Sequence, residues 1–138
     1  MLTHRQGRGV TLLELLVVMV IIGLLAAYVG PKYFSQIGKS EVKTSKAQII
    51  AFEKALQQYR LDVGRFPGTE QGLPALLVRP ANVAKWDGPY LEKALPTDPW
   101  GKAYVYVSPG EHGDFDISSY GRDGRPGGDG LDADITSW

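Results

Sequence analysis

The segment from Val10 to Gly30 is the feature that most constrains how this chain can fold. It holds 21 residues, and Glu14 is the only charged residue among them. At 1.5 Å rise per residue, an α-helix of this length is about 30 Å long, enough to cross the hydrocarbon core of a bilayer. Arg5 and Arg8 precede it, and basic residues ahead of an apolar span keep the N-terminus on the cytoplasmic side. The sequence therefore predicts one membrane-spanning helix.

Two simpler interpretations of this segment leave something unexplained. A secretory signal peptide has an apolar core of about 7–15 residues and a small-x-small cleavage site, whereas this longer run is followed by Pro31 and Lys32. A plain signal anchor fits the length but leaves Glu14 without a role, since an acid inside a spanning helix costs roughly 2.5–3.5 kcal/mol. Cleavage between Gly9 and Val10 would create an amine near Glu14. Between neighbouring helices of a bundle, such an amine would neutralise the carboxylate, which predicts a role in assembly.

The run Gly9-Val10-Thr11-Leu12-Leu13-Glu14 resembles the prepilin-peptidase site of type IV pilins and pseudopilins. In that family the peptidase cuts after the glycine and methylates the new amine. The resemblance implies a leader peptide of residues 1–9, cleavage between Gly9 and Val10, N-methylation of Val10 and an assembly role for Glu14. One departure is Val10 itself, which stands where the family usually has phenylalanine. This departure leaves the cleavage in place and puts the efficiency of methylation in question.

Beyond Gly30 the pattern predicts an α+β head. Pro31 lacks an N–H group, so we expect a kink or a locally unwound stretch there. Apolar residues spaced by three, four or seven then mark one face of a helix from about Ser40 to Asp62, with Gly64 as its stop. The apolar face consists of Val42, Ile49, Phe52, Leu56, Tyr59 and Val63. We expect it to pack against the head rather than form a coiled coil, because two heptads are too few for a coiled-coil seam.

The opposite face of this helix is basic, and the chain after it is rich in proline and glycine. The basic face, for which we expect simple solvation, consists of Lys39, Lys43, Lys46, Lys54 and Arg60. Short helical turns are expected near Gly72–Val78 and Tyr90–Ala94. The alternating segments Ala103–Val107 and Phe115–Tyr120 predict antiparallel strands. Two or three strands packed on the helix would bury Phe52, Leu56, Tyr59, Tyr104, Tyr106 and Phe115.

Motifs along this half resemble the major pseudopilin family of type II secretion systems. They occur in the family's order: Phe66-Pro67-Gly68-Thr69-Glu70-Gln71-Gly72-Leu73, Asp98-Pro99-Trp100-Gly101, Ser108-Pro109-Gly110, Tyr120-Gly121 with Asp123-Gly124, and Ala133-Asp134-Ile135 with Trp138. The match spans essentially the whole chain. It implies a pilin-like α+β fold, in which a long N-terminal helix, kinked near Pro31, packs on a small antiparallel sheet with a C-terminal calcium loop. It divides the chain into a leader (1–9), a transmembrane and assembly helix (10–30) and a periplasmic head (31–138).

The C-terminal loop is acidic and rich in glycine. Residues 111–134 hold seven acidic side chains against two arginines, a local charge of −5. Hard oxygen ligands on a flexible loop suit calcium rather than zinc or copper. Two known calcium patterns fail: an EF-hand loop starting at Asp123 would place Arg125 and Gly127 at ligand positions, and a single RTX-like copy cannot stack. From the residues alone, a solvated acidic loop stays open as the alternative.

The family resemblance implies one calcium ion in this loop. By position, Asp123 would supply a side-chain oxygen and Tyr120 a main-chain carbonyl. For the second acidic ligand we favour Asp132 and keep Asp129 as a rival. Asp134 is expected to be either a further ligand or the partner of a nearby arginine.

The composition excludes several function classes. The chain has no cysteine, which excludes disulfides, thiolate metal sites and cysteine nucleophiles. Its net charge of zero argues against a nucleic-acid partner. Only two histidines are present, and no spacing typical of a catalytic triad or phosphate loop occurs. His112 is expected in an exposed turn. We therefore expect no enzymatic activity.

The resemblance implies a structural role. The chain would be a single-pass protein of the bacterial inner membrane, its N-terminus cytoplasmic before processing and its head periplasmic. It would form a helical homo-polymer, the pseudopilus, which helps to export folded proteins across the outer membrane. The implied partners are minor pseudopilins, prepilin peptidase and the inner-membrane assembly platform with its ATPase. One alternative is a type IV pilin of a surface fibre; the other is a membrane-tethered module that binds calcium or another ligand.

Overall fold

The computed structural model describes residues 9–138, so residues 1–8 of the predicted leader lie outside the described chain. The elements follow in the order α1 (Leu12–Val63), a first 3-10 helix (Leu73–Leu76), β1 (Val105–Val107), β2 (Asp116–Ser119), a second 3-10 helix (Gly130–Asp132) and β3 (Ile135–Thr136). The strands form one antiparallel sheet in the order β1-β2-β3. The predicted α+β arrangement is confirmed.

The helix α1 runs for 52 residues and contains Pro31. Of the two outcomes expected at this proline, local unwinding does not occur, because a proline removes only the hydrogen bond of its own N–H and the turns on both sides keep theirs. A bend at Pro31 stays a prediction. The chain divides into two compact units, one ending at Ile37 and the other comprising Gly38–Trp138.

The described part of the first unit is the apolar portion of α1. It is long and apolar enough to cross a membrane. Every residue from Val10 to Val29 is exposed in the single chain, so these aliphatic side chains have no cover of their own. A helix that is apolar all round requires lipid or other helices around it.

The second unit buries one face of α1 under the sheet. Five residues of that face, Ile49, Phe52, Ala55, Leu56 and Tyr59, are at most 5% exposed. Seven residues from the rest of the head complete the core: Leu73, Ala75, Leu76, Tyr104, Tyr106, Ile117 and Ile135. The half-buried Val42 and Val63 pack against this core. The apolar face predicted from spacing is thus confirmed, while Phe115 is only half-buried.

The central strand of the sheet is β2. It pairs Ile117 with Tyr106 of β1, and Ser119 with Ile135 of β3. Both predicted strands are present but shorter than expected. The Tyr106 hydroxyl donates a hydrogen bond to the Pro67 carbonyl at 2.6 Å. Burial raises the pKa of Tyr106 to about 12, so the phenol stays protonated and fastens the loop after α1 to the sheet.

The irregular segment between α1 and β1 matches one of the two helical turns expected there. The first 3-10 helix lies within the expected Gly72–Val78. The turn expected at Tyr90–Ala94 is wrong, because this segment forms no helix. Its hydrogen bonds go to distant partners instead: the Tyr90 N–H donates to the Leu76 carbonyl at 2.7 Å, and the Tyr90 hydroxyl donates to Asp62 at 2.7 Å.

Replacing Ile117 by alanine is expected to destabilise the head by about 2–5 kcal/mol, because the side chain is fully buried between helix and sheet. The measurement is denaturant unfolding of the full chain in detergent micelles, followed by tryptophan fluorescence. Val107→Ala on neighbouring β1 is the matched control, since Val107 is 39% exposed and should cost less than about 1 kcal/mol. Equal losses in both variants would contradict the described core.

Candidate functional site

The start of α1 is the first candidate site. The Thr11 hydroxyl oxygen accepts a hydrogen bond from the Glu14 N–H at 3.2 Å, and the Thr11 carbonyl accepts one from the Leu15 N–H at 3.1 Å. Thr11 is therefore the cap of a helix that begins at Leu12. Sequence reasoning identified Glu14 but missed this cap. The Thr-x-x-Glu spacing, which is typical of helix caps, would have revealed it.

Glu14 lies in the first turn of α1 and is exposed. There its carboxylate faces the positive end of the helix dipole, which stabilises negative charge. No ion pair in the described chain includes it. Gly9 and Val10, the predicted cleavage residues, are exposed and precede the helix. The bond between them is therefore accessible without unfolding α1.

The acidic loop between β2 and β3 is the second candidate site. Five of its glycines have positive φ: Gly121, Gly124, Gly127, Gly128 and Gly130. At two of them the chain also approaches closely. A Cβ added to Gly121 would lie 2.6 Å from the Ala133 carbonyl oxygen, and one added to Gly128 would lie 2.6 Å from the Asp132 carbonyl oxygen. Glycine thus allows the loop to fold back on the residues before β3.

Three of the five predicted calcium ligands occupy successive positions along this loop. Tyr120 is half-buried and follows β2 directly. The exposed Asp123 accepts a hydrogen bond from the Arg125 N–H at 3.1 Å, which closes a local turn. Asp129 is exposed and immediately precedes the second 3-10 helix. Its side chain makes no capping hydrogen bond there.

Asp132 is held by an arginine. Its two carboxylate oxygens accept hydrogen bonds from Arg122 Nε at 2.8 Å and Nη2 at 3.2 Å. This hydrogen bonding, with the arginine's charge, holds the pKa of Asp132 below its usual value. The same contact raises the pKa of Arg122, and the charges of Asp123 and Glu41 contribute less. The acidic loop therefore contains a positive charge of its own, Arg122, paired with one of its carboxylates.

Asp134 contributes the clearest sign of an incomplete polar site. Its Oδ2 accepts a hydrogen bond from the Gly127 N–H at 3.0 Å. Its Oδ1 is buried and has no hydrogen-bond partner. A buried carboxylate oxygen is costly unless a donor or a cation meets it. Asp134, which we expected to be a ligand or an arginine's partner, forms no ion pair in the described chain and keeps one oxygen without a donor.

Among residues 9–138, no three carboxylate or histidine side chains are grouped so as to hold a metal ion. A cation in the acidic loop would therefore need main-chain carbonyls beside the carboxylates. Calcium accepts such ligands readily, whereas zinc prefers nitrogen and sulfur. The donor set, with its unpartnered Asp134 oxygen, fits calcium on these grounds.

A buried carboxylate that sequence reasoning missed supports the base of this loop. Asp98 is 3% exposed and accepts a hydrogen bond from the Ser119 hydroxyl at 2.7 Å. Its other oxygen accepts the N–H groups of Trp100 and Lys102. Ser119 in turn accepts the Gly121 N–H at 3.3 Å. The Asp-Pro-Trp-Gly motif indicated a turn, but it gave no sign of the link to β2.

His112 contacts both β2 and the C-terminal Trp138. It is exposed, as expected, yet its Nδ1 lies 3.0 Å from the Asp116 carboxylate and its ring stacks on Trp138 at 4.0 Å. Burial alone would raise the pKa of Asp116. Hydrogen bonds from the His112 ring and from the N–H groups of Glu111 and His112 outweigh this and hold the pKa below its usual value.

Two family models match this chain. Residues 4–30 match the family described as the prokaryotic N-terminal methylation motif. Residues 32–138 match the family described as type II secretion system (T2SS), protein G. The chain belongs to the type II secretion system protein G family. The methylation motif covers the helix start, and the protein G match covers the head with its acidic loop.

Relatives in this family are similar over nearly the whole chain. Type II secretion system core protein G of Pseudomonas aeruginosa is 44% identical, covering 98% of this chain and 97% of the relative. The Vibrio cholerae protein of the same name is 43% identical, with 97% and 93% covered. The one from Escherichia coli K12 is also 43% identical, with 99% and 93% covered.

A solved relative has the same fold. The crystal structure of the major pseudopilin from the type 2 secretion system of enterohaemorrhagic Escherichia coli matches with a TM-score of 0.65 at 36% identity. The match covers 76% of this chain and 92% of that one. The family, the pilin-like fold and the identification as a major pseudopilin, a structural subunit of the secretion system, are therefore confirmed.

Proposed function

We propose that this protein G family member is anchored in the bacterial inner membrane by the single span 10–30, with its head in the periplasm. After removal of the leader it polymerises into a helical pseudopilus whose growth helps to export folded proteins across the outer membrane. From the family we propose prepilin peptidase, minor pseudopilins and the inner-membrane assembly platform with its ATPase as partners.

The uncovered start of α1 carries this proposal. All residues from Val10 to Val29 are exposed, and lipid can cover their aliphatic side chains. Lipid cannot satisfy Glu14, which has no ion-pair partner in the described chain. A neighbouring copy that presents the amine of Val10 would satisfy it while covering the same apolar surface. The charge is therefore better explained by assembly than by membrane anchoring.

We infer that the head has no catalytic role. A groove of about 800 Å³ on the head lies beside the second half of α1. It is lined by alanine, glutamine, leucine, proline, lysine, tyrosine and one glutamate, Glu92. The lining holds no serine, histidine or cysteine and only one carboxylate, so it offers neither a Ser–His–Asp arrangement nor a carboxylate pair for hydrolysis.

We further propose that the acidic loop holds one calcium ion. Asp123 and the Tyr120 carbonyl are the proposed core ligands, and the free buried oxygen of Asp134 supports adding that side chain. Asp132 is the preferred further ligand once it turns from Arg122, with Asp129 as the rival. The ion would neutralise carboxylates that otherwise repel one another and tie the loop to the residues before β3.

In cells with a prepilin peptidase, the mature chain is expected to begin at Val10, and Gly9→Leu should block processing. The measurement is N-terminal mass spectrometry of the assembled protein. Gly23→Leu, within the span, is the control for a general effect of losing a glycine, and its N-terminus should still be Val10. An intact Met1 on assembled wild-type chains would contradict cleavage between Gly9 and Val10; an intact Met1 on chains that form no filament would favour a permanent membrane tether.

Glu14→Leu is expected to insert into the membrane at least as well as wild type, since it removes a charge from the span. Assembly should nevertheless fall, because the neighbour's amine loses its partner while staying away from water. Counting filaments by electron microscopy measures the effect. Thr11→Ala separates the two roles of the helix start, since it removes the cap and keeps the carboxylate. Normal filament number in Glu14→Leu would show that the carboxylate is no assembly contact.

Calcium is expected to raise the unfolding temperature of the full chain in micelles. Free calcium at 100 times its Kd would stabilise by about 2.7 kcal/mol, a shift of roughly 10 °C for a head of this size. Asp123→Ala should remove most of the gain. Magnesium should replace calcium poorly, because it demands tighter octahedral geometry.

The controls separate a site from general screening of charge. Glu111→Ala removes one acid outside the proposed site and should keep the calcium response. Equal stabilisation by magnesium at the same ionic strength, or an unchanged response in Asp123→Ala, would contradict the calcium site and leave the pseudopilin assignment intact.

A further inference from the structure

Arg122 binds Asp132, a carboxylate that a cation in the acidic loop would also bind. Its guanidinium bridges both oxygens of Asp132, at 2.8 Å from Nε and 3.2 Å from Nη2. Asp123, a proposed core ligand, is its neighbour in sequence, and the charges of Asp123 and Glu41 also act on it. Arg122 is thus surrounded by the negative charge that would attract a divalent ion.

The pairing is incompatible with full coordination by Asp132. A fork-to-fork bond between guanidinium and carboxylate uses both carboxylate oxygens in one plane, and these oxygens are the ones that a calcium ion would bind. A fixed positive charge beside the loop also repels a divalent ion. The side chains of Arg122 and Asp132 are 53% and 35% exposed, so the pair is accessible to exchange.

We propose that Arg122 competes with the divalent cation for Asp132 and thereby sets the loop's affinity for that cation. The inference rests on the proposed calcium binding. In this arrangement Arg122 is an internal counter-charge that keeps the loop closed, and the ion must displace it from Asp132. Glu41 of α1 leaves negative charge beside Arg122 after such an exchange.

The contacts of Asp132 affect how the acidic loop packs on α1. Leu131, the preceding residue, packs on Gly38 so closely that a Cβ built on Gly38 would lie 2.4 Å from a Leu131 methyl carbon. The glycine leaves a notch in the helix surface that the leucine side chain fills. The Arg122–Asp132 bond therefore holds the residue next to this contact, so the pair seats the loop on the helix.

The test measures calcium affinity by isothermal titration of the full chain in detergent micelles, at fixed ionic strength. Arg122→Gln is expected to tighten binding about fivefold, the scale that double-mutant cycles give for a partly exposed ion pair. Arg122→Lys keeps the charge but loses the planar fork, so it should also tighten binding, to a smaller extent. In an Asp132→Asn background, Arg122→Gln should change the affinity by less than about twofold.

A second measurement starts from the calcium-free protein. Hydrogen exchange of residues 121–134 in a chelating buffer should be faster in Arg122→Gln than in wild type, because the closing bond is lost. Added calcium should restore the wild-type protection. Arg125→Gln is the matched control: it removes a basic side chain of the same loop that makes no side-chain hydrogen bond or ion pair in the described chain, and it should change neither measurement.

The outcomes separate this inference from the calcium proposal. Wild-type binding with unchanged or weaker affinity in Arg122→Gln would overturn the competition and leave calcium binding intact. Simple charge repulsion would give tighter calcium binding in Arg122→Gln, wild-type affinity in Arg122→Lys, and the same effect of Arg122→Gln in the Asp132→Asn background. That result would also overturn the competition. Binding by Arg122→Gln but not by wild type would support the competition. Absence of binding in both would overturn both proposals.

Discussion

The head depends on the burial of one face of α1 between Ser45 and Tyr59. The three strands hold three, four and two residues, and a sheet of this size is at best marginal in water without a covering element. The helix supplies that cover, and the apolar residues of this face are almost completely buried. Even Ser45, the one polar residue there that is fully buried, accepts a hydrogen bond from the Tyr104 hydroxyl at 3.2 Å. Helix and sheet therefore share one core.

This dependence explains which parts of the fold the sequence could predict. The buried face of α1 repeats at helical spacing over several turns, so the pattern is visible in the sequence alone. The strands β1 and β2 alternate over enough residues to be recognised. The two-residue β3 has no period of its own and exists only because Ser119 of β2 pairs with Ile135. The segment Tyr90–Ala94 was mispredicted for the same reason, since its hydrogen bonds lie with distant residues.

The candidate sites also combine features that a local sequence pattern reveals with contacts between distant residues that it does not. Glu14 and the acids of the loop are evident from charge and family resemblance, and the cap at Thr11 is a local pattern that spacing reveals. The partners of the acids are not local. Arg122 and Asp132 are ten residues apart and Gly127 and Asp134 seven, with glycines between them whose backbone angles no pattern specifies. Which acid is paired and which oxygen is free therefore emerges only from the folded loop.

The position of the Thr11 cap has a consequence for maturation. The cap and the whole of α1 lie on the C-terminal side of the proposed cut between Gly9 and Val10. Such a cut would remove no group that caps the helix, so we expect α1 to begin at Leu12 both before and after it. What the cut would add is a charged amine two residues ahead of the helix, which we propose meets the Glu14 carboxylate of a neighbouring copy. Maturation would then act as a change of charge on a preformed helix, ready for assembly without any refolding.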